Sequence, residues 1–176
     1  MSTPKQILVI DLEATCWKSP HEAWNQEVLE IGITPIELKS RMLQESESII
    51  VIPTTGDISD YCIELTGITD DVVLQRGISF RESMKLLNDE YSVGKNMWAS
   101  WGKFDDKLIA NQCLREQVGY PFSPLHLNVK ALFVAKFGFS CSIKKAAEFL
   151  EIPFEGRWHS GKDDSRNTAR ILLQLI

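Results

Sequence analysis

Three Ile- and Val-rich stretches, residues 7–11, 27–38 and 42–52, open the chain, and no helical pattern separates them. β-Branched residues at this density favour extended backbone. Parallel neighbours need a long crossover that is usually a helix, so strands following one another in this way are expected to pair antiparallel as a meander. A turn cluster at residues 53–57 closes it. A purely parallel, doubly wound sheet fits this opening poorly.

Helical patterns then alternate with short apolar runs. Residues 59–66 and 70–74 read as short helices, and residues 79–91 as a longer one. In the longer one Met84, Leu86 and Leu87 share a side, and Ser79 with Glu82 three residues on forms a capping signal. Residues 96–101 read as a strand, 104–118 as a helix and 127–129 as a short strand. Residues 142–150 form an amphipathic helix capped by Ser142, and residues 163–175 the final helix. The expected fold is α/β: a mixed β-sheet, its first three strands antiparallel and its later ones joined by helical crossovers, flanked by α-helices. With no repeat, low-complexity run or Pro-, Gly- or Ser-rich linker, residues 1–176 read as a single domain.

Acidic residues stand at three junctions of this order. Asp11 and Glu13 follow the first apolar run, and in extended chain residues i and i+2 point to one face. Two neighbouring carboxylates repel unless a positive charge lies between them, and a divalent cation with its preference for oxygen ligands meets that need. Near the other end, His159 precedes Asp164 by a loop with Ser160 and Gly161, and a helix is expected to start near Asp163. Asp164 shares a helical stripe with Thr168, Ile171 and Leu175, which reads as core-facing. Asp163 shares one with Asn167, Arg170 and Gln174, which reads as water-facing. At mid-chain a strand delivers a helix that begins with Asp105 and Asp106, between which periodicity does not choose.

The composition narrows the function classes. Cys16, Cys62, Cys113 and Cys141 are widely spaced without a Cys-x-x-Cys pair, which argues against a zinc site or a disulfide framework. A net charge of −5 argues against gripping long nucleic acid on a broad basic face, although metal ions in an acidic site can still bind phosphates. No apolar run reaches the length of a membrane span, and no signal-peptide core is present, so the expected setting is cytoplasmic, without a membrane partner. Trp98 and Trp101 read as core residues of a strand, whereas Trp17 and Trp158 flank the acidic segments and are candidates for stacking on a base. Lys103, Arg157, Lys162 and Arg166 read mainly as solvated charge. Trp24, His21 and His126 receive no role.

Together the segments resemble the DEDDh 3′-5′ exonucleases. The resemblance rests on Asp11-x-Glu13 after a first strand, on Phe104-Asp105 at the start of a mid-chain helix, and on His159 with Asp164 near the end. A closer similarity, to the branch containing the histone-mRNA 3′-end exonuclease, is carried by Ile10-Asp11-Leu12-Glu13-Ala14-Thr15-Cys16 and by Tyr61-Cys62-Ile63-Glu64-Leu65-Thr66-Gly67-Ile68-Thr69. The run from His159 through Asn167 carries it as well. Trp17 stands where that branch often has an acidic residue.

The resemblance implies a ribonuclease H-like mixed sheet and a metal-dependent 3′-to-5′ exonuclease. It would act on single-stranded RNA or DNA 3′ ends, with RNA favoured, and release nucleoside 5′-monophosphates. It makes Asp11, Glu13, Asp105 and Asp164 the ligands of two divalent ions, Mg²⁺ or Mn²⁺, and His159 the general base. Leu12, Ala14, Leu65 and Thr66 would contact the terminal nucleotide; Trp17 joins them as a substrate contact on its position beside the first motif, not on the resemblance. The alternative is a catalytically silent nucleic-acid-binding domain of the same fold.

Overall fold

Pairing in the sheet starts from β1 (Gln6–Ala14), which runs antiparallel to β2 (Val28–Glu37) along its whole length. The computed structural model describes residues 5–19, 26–55 and 58–176. His21, Trp24 and the last two residues of the expected turn at 53–57 lie outside the described residues. Because β1 continues to Ala14, Asp11 and Glu13 lie inside the strand rather than beyond its end.

The expected third strand is two pieces, β3 (Met42–Leu43) and β4 (Glu47–Ile50), both antiparallel to β2. β3 pairs with Ile36 and Glu37, and β4 with Glu30 through Ile33. Pro35 sits in the gap between them. It has no N–H to give to a ladder on either side, so the partner strand breaks there. β5 (Met97–Ser100) adds parallel to β1, and β6 (His126–Asn128) parallel to β5. The order is β3-β2-β1-β5-β6, with β4 also beside β2.

The helices α1 (Asp60–Thr66), α2 (Asp70–Arg76) and α3 (Phe80–Tyr91) connect β4 to β5. Ser79 and Glu82 form the expected capping box of α3. Between β5 and β6 lies α4 (Phe104–Glu116); α5 (Val129–Phe137), α6 (Ile143–Phe149) and α7 (Gly161–Leu175) follow. α5 has no counterpart among the helices expected from the sequence. Among the described residues no helix is long and apolar enough to cross a membrane.

Alternation along β1 builds two cores. Leu8, Ile10, Leu12 and Ala14 pack with Phe80, Met84 and Leu87 of α3 and Leu108 and Ile109 of α4. Ile7 and Val9 face the other way, onto Phe133 of α5, Ile143 of α6 and Ile171 and Leu172 of α7. Asp11 and Glu13 continue this second face, which points them toward α7. Pairing of β1 with β5 ends at Val9 and Ala99. Past that point the β5-side edge of β1 is free, and the acidic cleft opens there.

α7 starts at Gly161, with Ser160 as its N-cap residue, two residues earlier than expected. It seats on β2 through a glycine contact: a Cβ on Gly32 would lie 1.9 Å from the Gly161 backbone. The stripe through Asp163 does not face water as expected. Asn167 is fully buried, and its amide donates to the carbonyls of Glu155 and Asp163. Arg170 reaches Glu155 at 3.2 Å, so this stripe packs on the chain that leads into α7.

Candidate active site

Asp11, Glu13, Asp105, Asp164 and His159 all line one cleft of about 260 Å³. The sequence placed them on separate segments, and the fold brings the five together. β1 supplies Asp11 and Glu13. α7 supplies Asp164 from its first turn, on the core-facing stripe. Carboxylate and imidazole atoms of Glu13, Asp164 and His159 lie within 4.8 Å of one another.

Asp105 reaches the cleft from the start of α4. Its Oδ1 accepts the Leu12 N–H at 3.0 Å, which is the β1 edge group left unpaired where β5 stops. Asp106 turns away, accepting from Tyr120 Oη at 2.8 Å and from Lys103 Nζ at 3.3 Å. A second support for Asp105 involves His126, which stands in no acidic motif. Lys103 Nζ lies 2.8 Å from His126 Nδ1, and an ammonium only donates, so Nδ1 accepts. The ring proton then sits on Nε2, 2.9 Å from Ser100 Oγ. Ser100 is thus an acceptor toward His126, and its own proton is shared between the Gly102 carbonyl, at 3.4 Å, and Asp105, whose pKa it lowers.

The acids are crowded and poorly solvated. Burial first, then the charges of Asp105, Asp164, Glu13 and Glu30, push Asp11 well above the usual carboxylate range. Burial and then Asp164, Glu30 and Asp105 push Glu13 up to about 8, while Arg157 opposes this. Burial pushes Asp164 up to about 7, against the His159 N–H that its Oδ2 accepts at 3.1 Å. Burial also raises Asp105 to about 6, against its hydrogen bonds from main-chain N–H groups and Ser100. Asp164 Oδ1 is buried and finds no hydrogen-bond partner among the described residues. A buried anionic oxygen without a partner is costly. An all-oxygen donor set with one lone pair unused suits a hard divalent cation.

His159 moves the other way. Burial first and then Arg157 hold its pKa below the ordinary value, so the imidazole is neutral near pH 7. Its backbone is left-handed, with φ +60°, which a non-glycine residue adopts only when its surroundings impose it. Cys16 also lines the cleft, but burial and a contact with the Cys62 thiol push its own thiol up to about 12. It is therefore no thiolate nucleophile.

A fifth acid escaped the sequence reading. Glu30 lies opposite Glu13 in the β1–β2 ladder and is only 4% exposed. Its carboxylate accepts the Gly161 N–H at 2.8 Å, the Lys162 N–H at 3.3 Å and the Ser48 hydroxyl at 2.7 Å. It thereby satisfies the open N-terminus of α7. An acid inside the apolar run Val28-Leu29-Glu30-Ile31 was the available signal.

The expected substrate contacts divide. Leu12, Ala14 and Leu65 line the cleft. Thr66 does not: its hydroxyl donates to the Cys62 carbonyl at 2.8 Å, inside the protein. Trp17 does not line the cleft either. Trp158 does, as do Trp101, which the sequence assigned to the core, and Phe104, half of whose surface is exposed.

The chain matches the exonuclease family RNase_T over residues 8–172. It belongs to that family. It is 28% identical to the human "3′-5′ exoribonuclease 1" over 97% of its own length and 52% of that protein's. It thus spans about half the length of that relative. Superposition on the nuclease domain of 3′hExo, a DEDDh family member bound to rAMP, gives a TM-score of 0.87 at 27% identity, covering 98% of this chain and 92% of that one. A 3′-exonuclease solved for 3′-end specific recognition of the histone mRNA stem-loop gives 0.88 at 27% identity, covering 99% and 82%. The fold is the ribonuclease H-like mixed sheet of the DEDDh exonucleases, and the chain is similar to the histone-mRNA branch, as its motifs indicated.

Proposed function

We propose that residues 1–176 act as one exonuclease domain that removes nucleotides from the 3′ end of single-stranded nucleic acid, with RNA favoured over DNA, and releases nucleoside 5′-monophosphates. The observation that carries this reading is the convergence of four acids and a neutral histidine in one cleft, with a buried oxygen of Asp164 left unpartnered. The RNA preference draws on the relatives: one is named an exoribonuclease, and another was solved with rAMP.

Asp11, Glu13, Asp105 and Asp164 would hold two divalent ions, Mg²⁺ or Mn²⁺. Bound there, such ions supply activation of water and relief of charge at the leaving 3′-oxygen. His159 takes the proton of the attacking water, for which a neutral imidazole is suited. Leu12, Ala14 and Leu65 flank the terminal nucleotide, and Trp101, Phe104 and Trp158 offer aromatic surface for its base. Thr66 supports Leu65 from behind, and Trp17, next to cleft-lining Cys16, stacks farther along the strand. The place of action in this reading is the cytoplasm, where the four cysteines remain thiols.

The test gives the purified protein end-labelled single-stranded RNA, matched DNA and a duplex with a 3′ overhang, each with Mg²⁺, Mn²⁺ or EDTA. Stepwise shortening from the 3′ end, faster on RNA and abolished by EDTA, is the expected result. Intact substrate under every metal condition would overturn the reading, and faster loss of DNA would reverse the preference.

A further inference from the structure

The loop that carries His159 is tied to the opposite wall of the cleft by Arg157. Its Nη1 donates to the Thr66 carbonyl at 2.6 Å, and its Nη2 to those of Leu65 at 3.2 Å and Glu64 at 3.3 Å. These are the last three residues of α1, whose terminal carbonyls have no partner within the helix. No basic residue occupies the last turn of α1 itself. Arg157 brings the cation from a distant loop, where it also favours the negative end of the helix. Room for it depends on Gly67, which is left-handed at φ +73° and whose added Cβ would lie 1.6 Å from Arg157 Nη1. The backbone of Arg157 is fixed as well, its N–H donating to Asp163 Oδ2 at 2.7 Å. Two residues on, the His159 N–H donates to Asp164 Oδ2.

We propose that Arg157 is a positioning residue for the reaction: by clamping the C-terminal end of α1 it holds the left-handed backbone of His159 and fixes the base relative to the Leu65 wall. This rests on His159 serving as the base, as proposed above. Its three hydrogen bonds to main-chain carbonyls commit the guanidinium to the protein rather than to a phosphate. The side chain is a planar fork matched to adjacent acceptors, which a lysine ammonium does not reproduce.

A double-mutant cycle tests this, using single-turnover cleavage of labelled single-stranded RNA at saturating Mn²⁺. Arg157→Ala is expected to slow the chemical step by about 10- to 100-fold, the scale of a misplaced catalytic group. Mn²⁺ affinity by calorimetry and RNA affinity by anisotropy should change less than threefold, a bound of about 0.7 kcal/mol. In a His159→Ala background the same substitution should cost nothing further. An equal slowing in both backgrounds would overturn the proposal, as would an unchanged rate in the single variant. If Arg157→Ala does not fold, Arg157→Lys and Gly67→Ala replace it in the cycle. Each keeps a cation and disturbs the clamp, and the same two outcomes decide. Should His159→Ala alone leave the rate unchanged, the base assignment fails, and it fails in a different arm from the clamp.

Discussion

Glu13 and Asp164 hold protons that ordinary carboxylates have lost at neutral pH, because burial and neighbouring acids push them to about 8 and about 7. Their ordinary values are 4.5 and 3.8, so the metal-free folded protein binds more protons than the unfolded chain between those limits. Stability from this source is fully present below about pH 4 and is lost as pH rises through the folded-state values. Asp164→Asn removes one of the offending charges while keeping an acceptor for the His159 N–H. In EDTA the variant should therefore melt higher than the parent at pH 8, with the advantage vanishing near pH 4. Mn²⁺ should reverse the order at pH 8 by stabilising the parent alone. Thermal melts across pH, with and without metal, check this. A variant that melts lower than the parent in EDTA at pH 8 would show that the acids are not strained there.

Part of the residue pattern was readable without the fold. Asp11 and Glu13 follow from the two-residue repeat of a strand, and Asp164 from the helical stripe it shares with Thr168 and Ile171. Asp105 was not separable from Asp106, because what selects it is a main-chain N–H on β1 far away in sequence. His126 was silent for the same reason: its role depends on Lys103 and Ser100 meeting its two ring nitrogens.

At the scale of elements, the placement of Asp164 and of the His159 loop depends on how α7 sits on β2. Glu30 caps the helix from the strand, and Gly32 lets the two backbones touch. Glu30→Ala would leave two N–H groups and the Ser48 hydroxyl without their acceptor, at a cost of about 1–3 kcal/mol. Gly32→Ala is the harsher change, since its Cβ meets backbone and not a side chain that can swing away. Chemical denaturation should rank the parent above Glu30→Ala and Glu30→Ala above Gly32→Ala. Both variants that fold should also bind Mn²⁺ more weakly. A Gly32→Ala protein as stable as the parent would mean that α7 can shift without loss.

The strands and most helices could be read locally because capping residues and apolar periodicity mark them, as Ser79 and Glu82 do for α3. α5 could not. Its run Val129-Lys130-Ala131-Leu132-Phe133-Val134 is apolar nearly all round, and Phe133 meets aromatic rings on several sides, those of Trp101, Phe137, Phe139 and Phe149. Only Val129 and Phe133 of this helix are buried, so apolar residues also stand on its outer side and no amphipathic stripe shows. The break between β3 and β4 was hidden too, since its cause lies in Pro35 on the neighbouring strand.

For the molecule as a whole, the question is how an acidic chain of net charge −5 keeps hold of a polyanion. Several cations near the cleft are already engaged. Arg157 is bound to carbonyls, and Lys103 to His126 and Asp106. Arg166 is paired with Glu155 at 2.8 Å. Lys18 and Lys162 are exposed beside the site and remain available to a strand. Each phosphate neutralised on single-stranded nucleic acid contributes a slope of about −0.7 to log affinity against log salt. Two such contacts give about −1.4. With divalent metal held constant and KCl varied, the affinity for a single-stranded RNA should follow a slope near that value. Lys18→Ala and Lys162→Ala should each make it shallower by about 0.7. A slope steeper than about −4 would mean that the strand runs over a basic surface that the described residues do not provide. The grip on substrate would then have to be sought outside the cleft, and local capture of a 3′ end would no longer explain how this chain binds nucleic acid.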